Sequence, residues 1–308
     1  MQVYAKWTDL RARAPIAVAL GMFDGVHIGH QRIVHRAVEL AKAEGGTSVV
    51  FTFRNHPLSV LAPQSLPLQV GSNELREQVL ASFGVDILLA IPFTRELAQQ
   101  SPEEFLAMLR RYLAPHYVVT GPNYTFGKKG KGTRRMLLRL GAKYGFHAEI
   151  CPAVLRDGRP VSSTRIRALL SKGDLAEANA LLGNPFSFIG RVVHGERRGR
   201  TLGFPTANLM IPDTQAMLPN GVYAAHVYLD GGKLDGLVNI GNNPTFEGDT
   251  RRIEVHIRDF DAMLYNKAIR VAFLQKLREE KKFASAEELV RQIQKDRLAA
   301  ETVWAQMG

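Results

Sequence analysis

The sequence predicts an α/β first half organised on a doubly wound parallel sheet, followed by an all-β second half suited to a small closed barrel with a terminal helix. Three observations support this. Apolar strand-like runs alternate with helical patterns as far as Leu182. Gly183-Asn184-Pro185 then breaks the pattern. Beyond it, short β runs separated by turn signals take over. A chain of 308 residues also agrees with a length prior of about two domains. The boundary is placed at 184/185, giving domains 1–184 and 185–308.

Ile16–Leu20 opens the alternation as a buried strand, and the Gly-rich turn Gly21–His30 follows it. Ile33, Val34, Ala37, Val38, Leu40 and Ala41 recur at helical spacing until Gly45-Gly46 ends the helix. Thr47–Phe53 is a β-rich run broken near Pro57. Ser72 caps a helix running to Gly84, and Val85–Ile91 is the next strand. Ser101-Pro102-Glu103-Glu104 combines a capping box with proline at the first helical position. His116–Thr120 is a short strand ending at Gly121. This βαβα order implies parallel strands, which carry ligands at their C-terminal ends. The Gly21, His56 and Gly121 regions all lie at such ends. Ser162–Leu182 is helical, with a second capping box at Asp174 and Glu177. The later β runs are Phe188–Val193, Gly221–Leu229, Leu234–Ile240, Arg252–Ile257 and Ile269–Leu274, with Asp230-Gly231-Gly232 as a hairpin signal. A last helix starts at Ser285, with Glu288 completing its capping box.

Composition narrows the function classes. The single cysteine, Cys151, excludes an internal disulfide and fits a reducing compartment as a small buried hydrophobe. No long uncharged apolar run and no signal-peptide layout occurs, so a cytoplasmic soluble protein without a membrane partner is expected. The formal charge is +11 and uneven: residues 1–184 hold 23 Lys+Arg against 14 Asp+Glu, and residues 185–308 hold 17 against 15. The surplus is densest at Lys128, Lys129, Lys131, Arg134, Arg135 and Arg139. Such a cluster attracts polyanions, either nucleic acid or phosphorylated small molecules, and a solvated helix face is the equal alternative.

Gly21–His30 reads Gly-Met-Phe-Asp-Gly-Val-His-Ile-Gly-His. A strand entering a Gly-rich turn and then a helix presents free N–H groups and the positive dipole end to an anion. His27 and His30 are three apart, so both imidazoles point the same way. Ser162-Ser163-Thr164-Arg165-Ile166-Arg167 begins another helix and adds hydroxyls and guanidinium charge. A His-x-x-His turn with a distant hydroxyl/Arg helix start suits nucleotidylyl transfer, where positioning and charge stabilisation do most of the work. A structural histidine is the ordinary account of either residue alone, and no cysteine or acidic cluster supports a metal shell. Gly121-Pro122-Asn123-Tyr124-Thr125-Phe126-Gly127 brackets polar and aromatic side chains at a strand end. This suits a planar ring and a ribose, or simply core packing.

In the second half the densest stretch is His194–Asn208, with Gly195, Gly199 and Gly203 among arginines including Arg200. Glycines there let backbone approach phosphates closely, although Gly199-Arg200 also fits a plain hairpin. Thr206 and Asn208 alternate onto one side of an extended segment as neutral oxygen ligands for Mg²⁺. Glu254 and His256 share the face opposite Ile253, Val255 and Ile257. A carboxylate there can accept a proton from an attacking hydroxyl. On periodicity alone, an exposed glutamate paired with Arg252 is the simpler account.

Taken together, Gly21–His30, Val161–Arg167, Gly190–Leu209, Gly221-Val222-Tyr223-Ala224, Asn239-Ile240-Gly241 with Pro244-Thr245-Phe246, and Glu254-Val255-His256 resemble the bifunctional bacterial riboflavin kinase/FAD synthetase family, with Phe283 through Asp296 similar to its C-terminal helix motif. The resemblance spans nearly the whole chain in order. It implies an HxGH nucleotidylyltransferase-like first half that adenylylates FMN to FAD with release of pyrophosphate. It also implies a six-stranded β-barrel with a terminal helix that phosphorylates riboflavin to FMN. By that match Gly21, Phe23, Asp24, His27, Gly29, His30 and Asn123 form the first ATP site, and Ser163, Thr164 and Arg167 hold pyrophosphate. Gly195, Gly199, Arg200, Gly203, Thr206 and Asn208 would bind the second ATP, with Mg²⁺ on Thr206 and Asn208 and Glu254 as general base. The implied partners are riboflavin, FMN, FAD and ATP rather than nucleic acid, in a monomer or weak homo-oligomer.

Departures from the family pattern are Met22 after the first glycine, Arg54-Asn55 before His56-Pro57, Asn123 where aspartate is common, Asn242-Asn243 before Pro244, and Asn266 after Tyr265. They bear on flavin contacts and leave every proposed catalytic group in place. Two alternatives stand beside this reading. One is an adenylyltransferase for another phosphorylated acceptor with a degenerate barrel, against which the Thr206/Asn208/Glu254 set argues. The other is a non-catalytic or RNA-binding derivative, since His27-Ile28-Gly29-His30 also spells the class I aminoacyl-tRNA synthetase signature. No Lys-Met-Ser-Lys-Ser-like loop accompanies it, and the second half is barely basic.

Overall fold

The computed structural model describes residues 1–195, 203–245 and 248–307. The chain divides into two compact units, Met1–Pro67 with Arg76–Ser163 and Leu68–Leu75 with Thr164–Gly308.

In the first unit the strands are β1 (Gln2–Tyr4), β2 (Ile16–Leu20), β3 (Thr47–Phe53), β4 (Ile87–Ile91), β5 (Tyr117–Thr120) and β6 (His147–Ile150). They form one sheet in the order β1-β4-β3-β2-β5-β6, with every pairing parallel. The helices are α1 (Ile28–Ala43), α2 (Leu58–Leu61), α3 (Asn73–Ser82, residues 76–82 of which belong to this unit), α4 (Arg95–Gln99), α5 (Pro102–Tyr112) and α6 (Arg134–Tyr144). The central strand explains the two-sided winding. Ile16, Val18 and Leu20 pack with Phe105, Leu106 and Leu109 of α5 and Leu137 of α6. Ala17 and Ala19 face the other way, against Ile33, Val34 and Ala37 of α1 and Leu80 of α3. All five residues of β2 are buried, as a parallel strand covered on both faces requires. The strand order reverses between β2 and β5, so the loops after Leu20 and Thr120 leave from adjacent C-terminal ends at a topological switch point.

A short exposed hairpin, β7 (Leu155–Arg156) and β8 (Arg159–Pro160), precedes α7 (Ser163–Lys172) and α8 (Leu175–Leu182). The predicted helical stretch is therefore two helices, separated at Gly173 with φ 80°. Asp174 caps α8 through Glu177 N, while the Glu177 carboxylate pairs with Arg165 at 2.8 Å instead of closing the box.

The second unit carries the barrel: β9 (Ser187–Val193), β10 (Ala207–Met210), β11 (Gly221–Leu229), β12 (Gly232–Thr245), β13 (Gly248–Ile257) and β14 (Ala268–Arg278). These close in the order β10-β13-β12-β11-β14-β9, with β9 pairing back to β10. Asp230 and Gly231, at φ 49° and 83°, make the tight hairpin in which Leu229 pairs with Gly232. The C-terminal helix (Ala286–Met307) sets Ala300, Val303 and Trp304 against Val222, Ala224, Leu237 and Leu274. It is also anchored by Asp296, 5 % exposed, which accepts from Arg278 Nε at 2.9 Å and Nη2 at 2.8 Å.

Gly183 ends α8 in a left-handed cap, so the Gly183-Asn184-Pro185 break is a helix stop. The packing unit begins upstream of it for a definite reason. Asn179 of α8 donates to Phe273 O at 3.0 Å and accepts from Phe186 N at 2.7 Å, which binds the helix to the barrel. The same unit takes in Leu68–Leu75, where Gln69 forms a parallel bridge with Gln215.

Candidate active sites

The turn between β2 and α1 has an uncommon backbone. Phe23, Gly25 and Val26 have φ of 51°, 73° and 41°. At non-glycine residues, and above all a β-branched one, such backbone costs on the order of 1–3 kcal/mol per residue and persists where its surroundings over-determine it. Here the carbonyls of the turn are tied down in succession. Met22 O accepts from Arg76 Nη1 at 3.0 Å and from Thr52 Oγ1 at 3.1 Å. Asp24 O accepts from Ser163 Oγ at 2.9 Å, and Val26 O from Gln31 Nε2 at 2.9 Å. The Phe23 ring is wholly buried, which leaves only its backbone to meet a ligand. At Gly29 an added Cβ would come within 3.1 Å of the His27 ring, which explains the glycine.

His27 is the N-cap of α1, its Nδ1 accepting His30 N–H at 3.2 Å. An accepting Nδ1 leaves the proton of the neutral ring on Nε2. The two imidazoles stack, with centroids 3.6 Å apart and planes 15° from parallel. Burial pushes His27 down to about 4. His30 is driven well below the ordinary histidine value by burial first, then by the positive charge of His27 and Arg76. Both rings are neutral near pH 7. His30 Nδ1 has no hydrogen-bond partner among the described residues. The pair therefore offers uncharged ring nitrogens at a helix N-terminus, where backbone N–H groups and the helix dipole favour an anion. The spacing of the histidines predicted the convergence but not that His27 also caps the helix.

Asn123 is exposed in the loop after β5, whereas Tyr124 and Phe126 stack with centroids 6.0 Å apart against the core. Ser163 opens α7, and its hydroxyl proton is committed to Asp24 O. Toward an anion it therefore offers the free backbone N–H of a helix N-terminus. Arg167 donates from Nη2 to Thr164 Oγ1 at 3.2 Å and from Nη1 to Leu68 O at 3.5 Å.

In the barrel, β10 and β13 set Asn208 opposite Glu254, and β12 sets Asn239 on the other side of Glu254. Thr206 Oγ1 lies 3.5 Å from Glu254 Oε1, and Arg252 Nη2 donates to the same oxygen at 2.7 Å. Glu254 is paired with Arg252 as the simpler account expected, but it is partly buried rather than exposed, and it also faces Thr206 and Asn208. A Cβ on Gly195 would fall 2.1 Å from Asn208 Nδ2, so only glycine there leaves the amide its place. His256 Nδ1 lies 2.9 Å from Pro205 O and steadies the entry to β10. Gly203 is a left-handed turn with φ 81° and open surroundings. Gly199 and Arg200 lie outside the described residues. Beside Thr206 is a cavity of about 130 Å³ walled by Val192, Pro205, Ala207, Ile257, Phe260 and Tyr265.

Two features escaped sequence reasoning. The cavity draws its walls from separate strands and a loop, so no local pattern marks it. Arg76 carries a sequence signal: it stands four residues before the buried Leu80 of α3, a cation on the apolar side of a helix, and is itself 7 % exposed.

Comparison with known proteins assigns both halves. The FAD synthetase family model matches residues 10–165 and the riboflavin kinase model matches residues 182–304. The chain is 36 % identical over 298 residues to the bifunctional riboflavin kinase/FMN adenylyltransferase of Bacillus subtilis, covering 94 % of this chain and 92 % of that one. The Escherichia coli K12 protein of the same name is 37 % identical over 288 residues, at 92 % and 91 % coverage. That of Pseudomonas fluorescens is 38 % identical over 308 residues, at 99 % and 98 %. A crystal structure described as a macrolide-efflux protein from Streptococcus pneumoniae superposes with a TM-score of 0.85 at 33 % identity, covering 97 % of this chain and 98 % of that one. Among the described residues here, no helix is long and apolar enough to cross a membrane.

Proposed function

Because the chain belongs to the bifunctional riboflavin kinase/FMN adenylyltransferase family, we propose how its two halves divide the two reactions and which side chains carry each. The enzyme phosphorylates riboflavin with ATP to give FMN, and transfers the adenylyl group of a second ATP to FMN to give FAD and pyrophosphate. Residues 1–184 carry adenylyl transfer and residues 185–308 carry the kinase.

The observation that supports the adenylyl site best is the stacked, neutral His27–His30 pair at the start of α1, at the switch point of the sheet. An FMN phosphate oxygen attacks the α-phosphorus of ATP, and the bond to the pyrophosphate oxygen breaks. No proton has to move in this step. The residues accordingly hold and orient: ring N–H groups and the N–H groups of α1 donate to the α-phosphate, and Gly21, Asp24 and Gly29 shape the turn around it. Asn123 faces the nucleotide from the loop after β5. Thr164, Arg167 and the backbone N–H at Ser163 hold the departing pyrophosphate. Neutral donors suit this work, because they bind the phosphate without forming a tight ion pair that would favour the ground state.

In the kinase half, the riboflavin 5′-hydroxyl attacks the γ-phosphorus and Glu254 accepts the hydroxyl proton as ADP departs. Arg252 Nη2 donates to one carboxylate oxygen and so orients the group. The residues fit a magnesium ion: Thr206 and Asn208 supply neutral oxygens, and Gly195 leaves the amide its space. No group of three or more His, Cys, Asp or Glu among the described residues could hold a metal. Mg²⁺ here would be held by Thr206, Asn208 and the ATP phosphates, and when bound it neutralises phosphate charge. The cavity beside Thr206 has the mixed apolar and polar walls that suit a purine ring.

The test is chromatography of flavins after incubation with riboflavin, ATP and Mg²⁺. Glu254→Gln is expected to abolish FMN formation and keep FMN-to-FAD conversion, and His30→Ala to do the reverse. Loss of both activities in either folded variant would overturn the division into two sites.

A further inference from the structure

The Gly21–His30 turn is held from a residue far away in the sequence. Arg76, on α3, is 7 % exposed, and its guanidinium bridges the turn after β2 and the end of β3. Nη1 donates to Met22 O at 3.0 Å, and Nη2 donates to Phe53 O at 3.0 Å. Thr52 Oγ1 also donates to Met22 O, at 3.1 Å. The Met22 carbonyl is the last anchor before the left-handed run at Phe23, Gly25 and Val26, and the caps of α1 follow directly. A guanidinium fork is suited to this task, since its coplanar donors fix two acceptors at once, which an ammonium cannot do.

We propose that Arg76 is a positioning residue for adenylyl transfer: by fixing the Met22 and Phe53 carbonyls together, it sets the backbone turn that aims His27 and His30 at the α-phosphate of ATP. Its charge has a second effect in the same direction. It lies close enough to His30 to disfavour protonation there, and Asp24 offsets the cost of its own burial. The clamp thus supports both the aim and the neutrality of the pair. The Phe53 contact extends it to the loop carrying Arg54-Asn55, where Asn55 in turn accepts Phe93 N at 2.8 Å. The inference rests on the adenylyl-transfer reading of the first half.

The experiment compares Arg76→Met and Arg76→Lys with the wild-type full-length chain in three measurements. These are FMN-to-FAD kinetics with ATP varied, riboflavin-to-FMN kinetics, and hydrogen exchange of the amides of residues 22–30. R76M is expected to lose about 10²-fold in kcat for FAD formation, the scale of an ångström-level misplacement. Its KM for ATP should change far less, kinase kinetics should match wild type, and exchange across 22–30 should rise. R76K keeps the charge without the fork and should fall between the two. Wild-type kcat in R76M, or unchanged exchange in the turn, would overturn the proposal. If R76M does not fold, R76K decides alone, and a wild-type kcat in it is the overturning result. A wild-type chain that makes FMN but no FAD would instead overturn the functional reading, and the exchange measurement would still judge the clamp.

Discussion

Replacing Gly195 with alanine is expected to disable one reaction and spare the other. The added Cβ would lie 2.1 Å from Asn208 Nδ2, 2.4 Å from its Cγ and 2.8 Å from its Oδ1. To regain an ordinary 3.4 Å contact, the amide must retreat by about 1.3 Å. That amide is the free end of a side chain, so the fold yields at a cost of about 0.5–1.5 kcal/mol for an off-rotamer conformation. The site is less forgiving. A displacement on the order of 1 Å in a group that orients phosphate costs about 10²-fold in rate, equivalent to about 2.7 kcal/mol of barrier. The expected G195A enzyme therefore phosphorylates riboflavin about 10²-fold more slowly at saturating ATP and Mg²⁺, on the same scale of argument. It should adenylylate FMN at the wild-type rate and melt near the wild-type temperature. Separate assays starting from riboflavin and from FMN, each followed by flavin chromatography, read both activities from one preparation. Asn208→Ala calibrates the loss expected when the amide is absent. A G195A enzyme with unimpaired kinase activity, beside an impaired N208A enzyme, would refute the claim that Gly195 fixes where the amide sits.

Two further expectations concern stability. His27 is held down to about 4 against 6.5 in the unfolded chain, so between those values the unfolded state binds the extra proton. Stability is then complete above pH 6.5 and falls as the pH drops toward 4, by about 3 kcal/mol from this group. His27→Gln should reduce that slope in urea titrations across the range, with His30 keeping its own part of it, and an unchanged slope would show that the His27 ring is not buried neutral. Asp296→Ala leaves the partly buried Arg278 without its bidentate partner. Breaking such a pair costs about 3–5 kcal/mol and should release the C-terminal helix, seen as lost helicity or raised exchange over 286–307.

How much of this was legible in the sequence depended on how local each signal was. The limits of β2, β3 and β11 match the predicted Ile16–Leu20, Thr47–Phe53 and Gly221–Leu229 because each is a β-rich run with glycine or proline close to its ends. The Ser101 capping box and the Asp230-Gly231 hairpin were equally readable, since each is complete within a few residues. By contrast, β1 and β6 are short, and β6 is only partly buried, so neither carries a strong pattern of its own. Thr206 and Asn208 were read as an extended segment, but that this segment is a barrel strand opposite Glu254 depends on pairing with β13 and β9. Arg76 shows the same limit at the site. Helical periodicity marks it as misplaced on an apolar face, yet its acceptors, Met22 O and Phe53 O, lie 54 and 23 residues away.

The excursion of Leu68–Leu75 has a consequence for cutting the gene. Gln69 exchanges backbone hydrogen bonds with the segment after β10: its N–H donates to Thr214 O at 2.7 Å, and its carbonyl accepts from Ala216 N at 2.8 Å. The Gln215 amide, 6 % exposed, donates to Gln69 O and Val70 O at 3.1 Å each. The kinase-bearing unit is therefore assembled from two stretches of polypeptide, and no single incision releases it whole. A fragment beginning at residue 185 would forgo α8 as well as this bridging segment, exposing donors and acceptors that the intact chain satisfies. Gene fission would require grafting a surrogate for residues 68–75 onto the barrel, which makes the two activities easier to inherit together than apart.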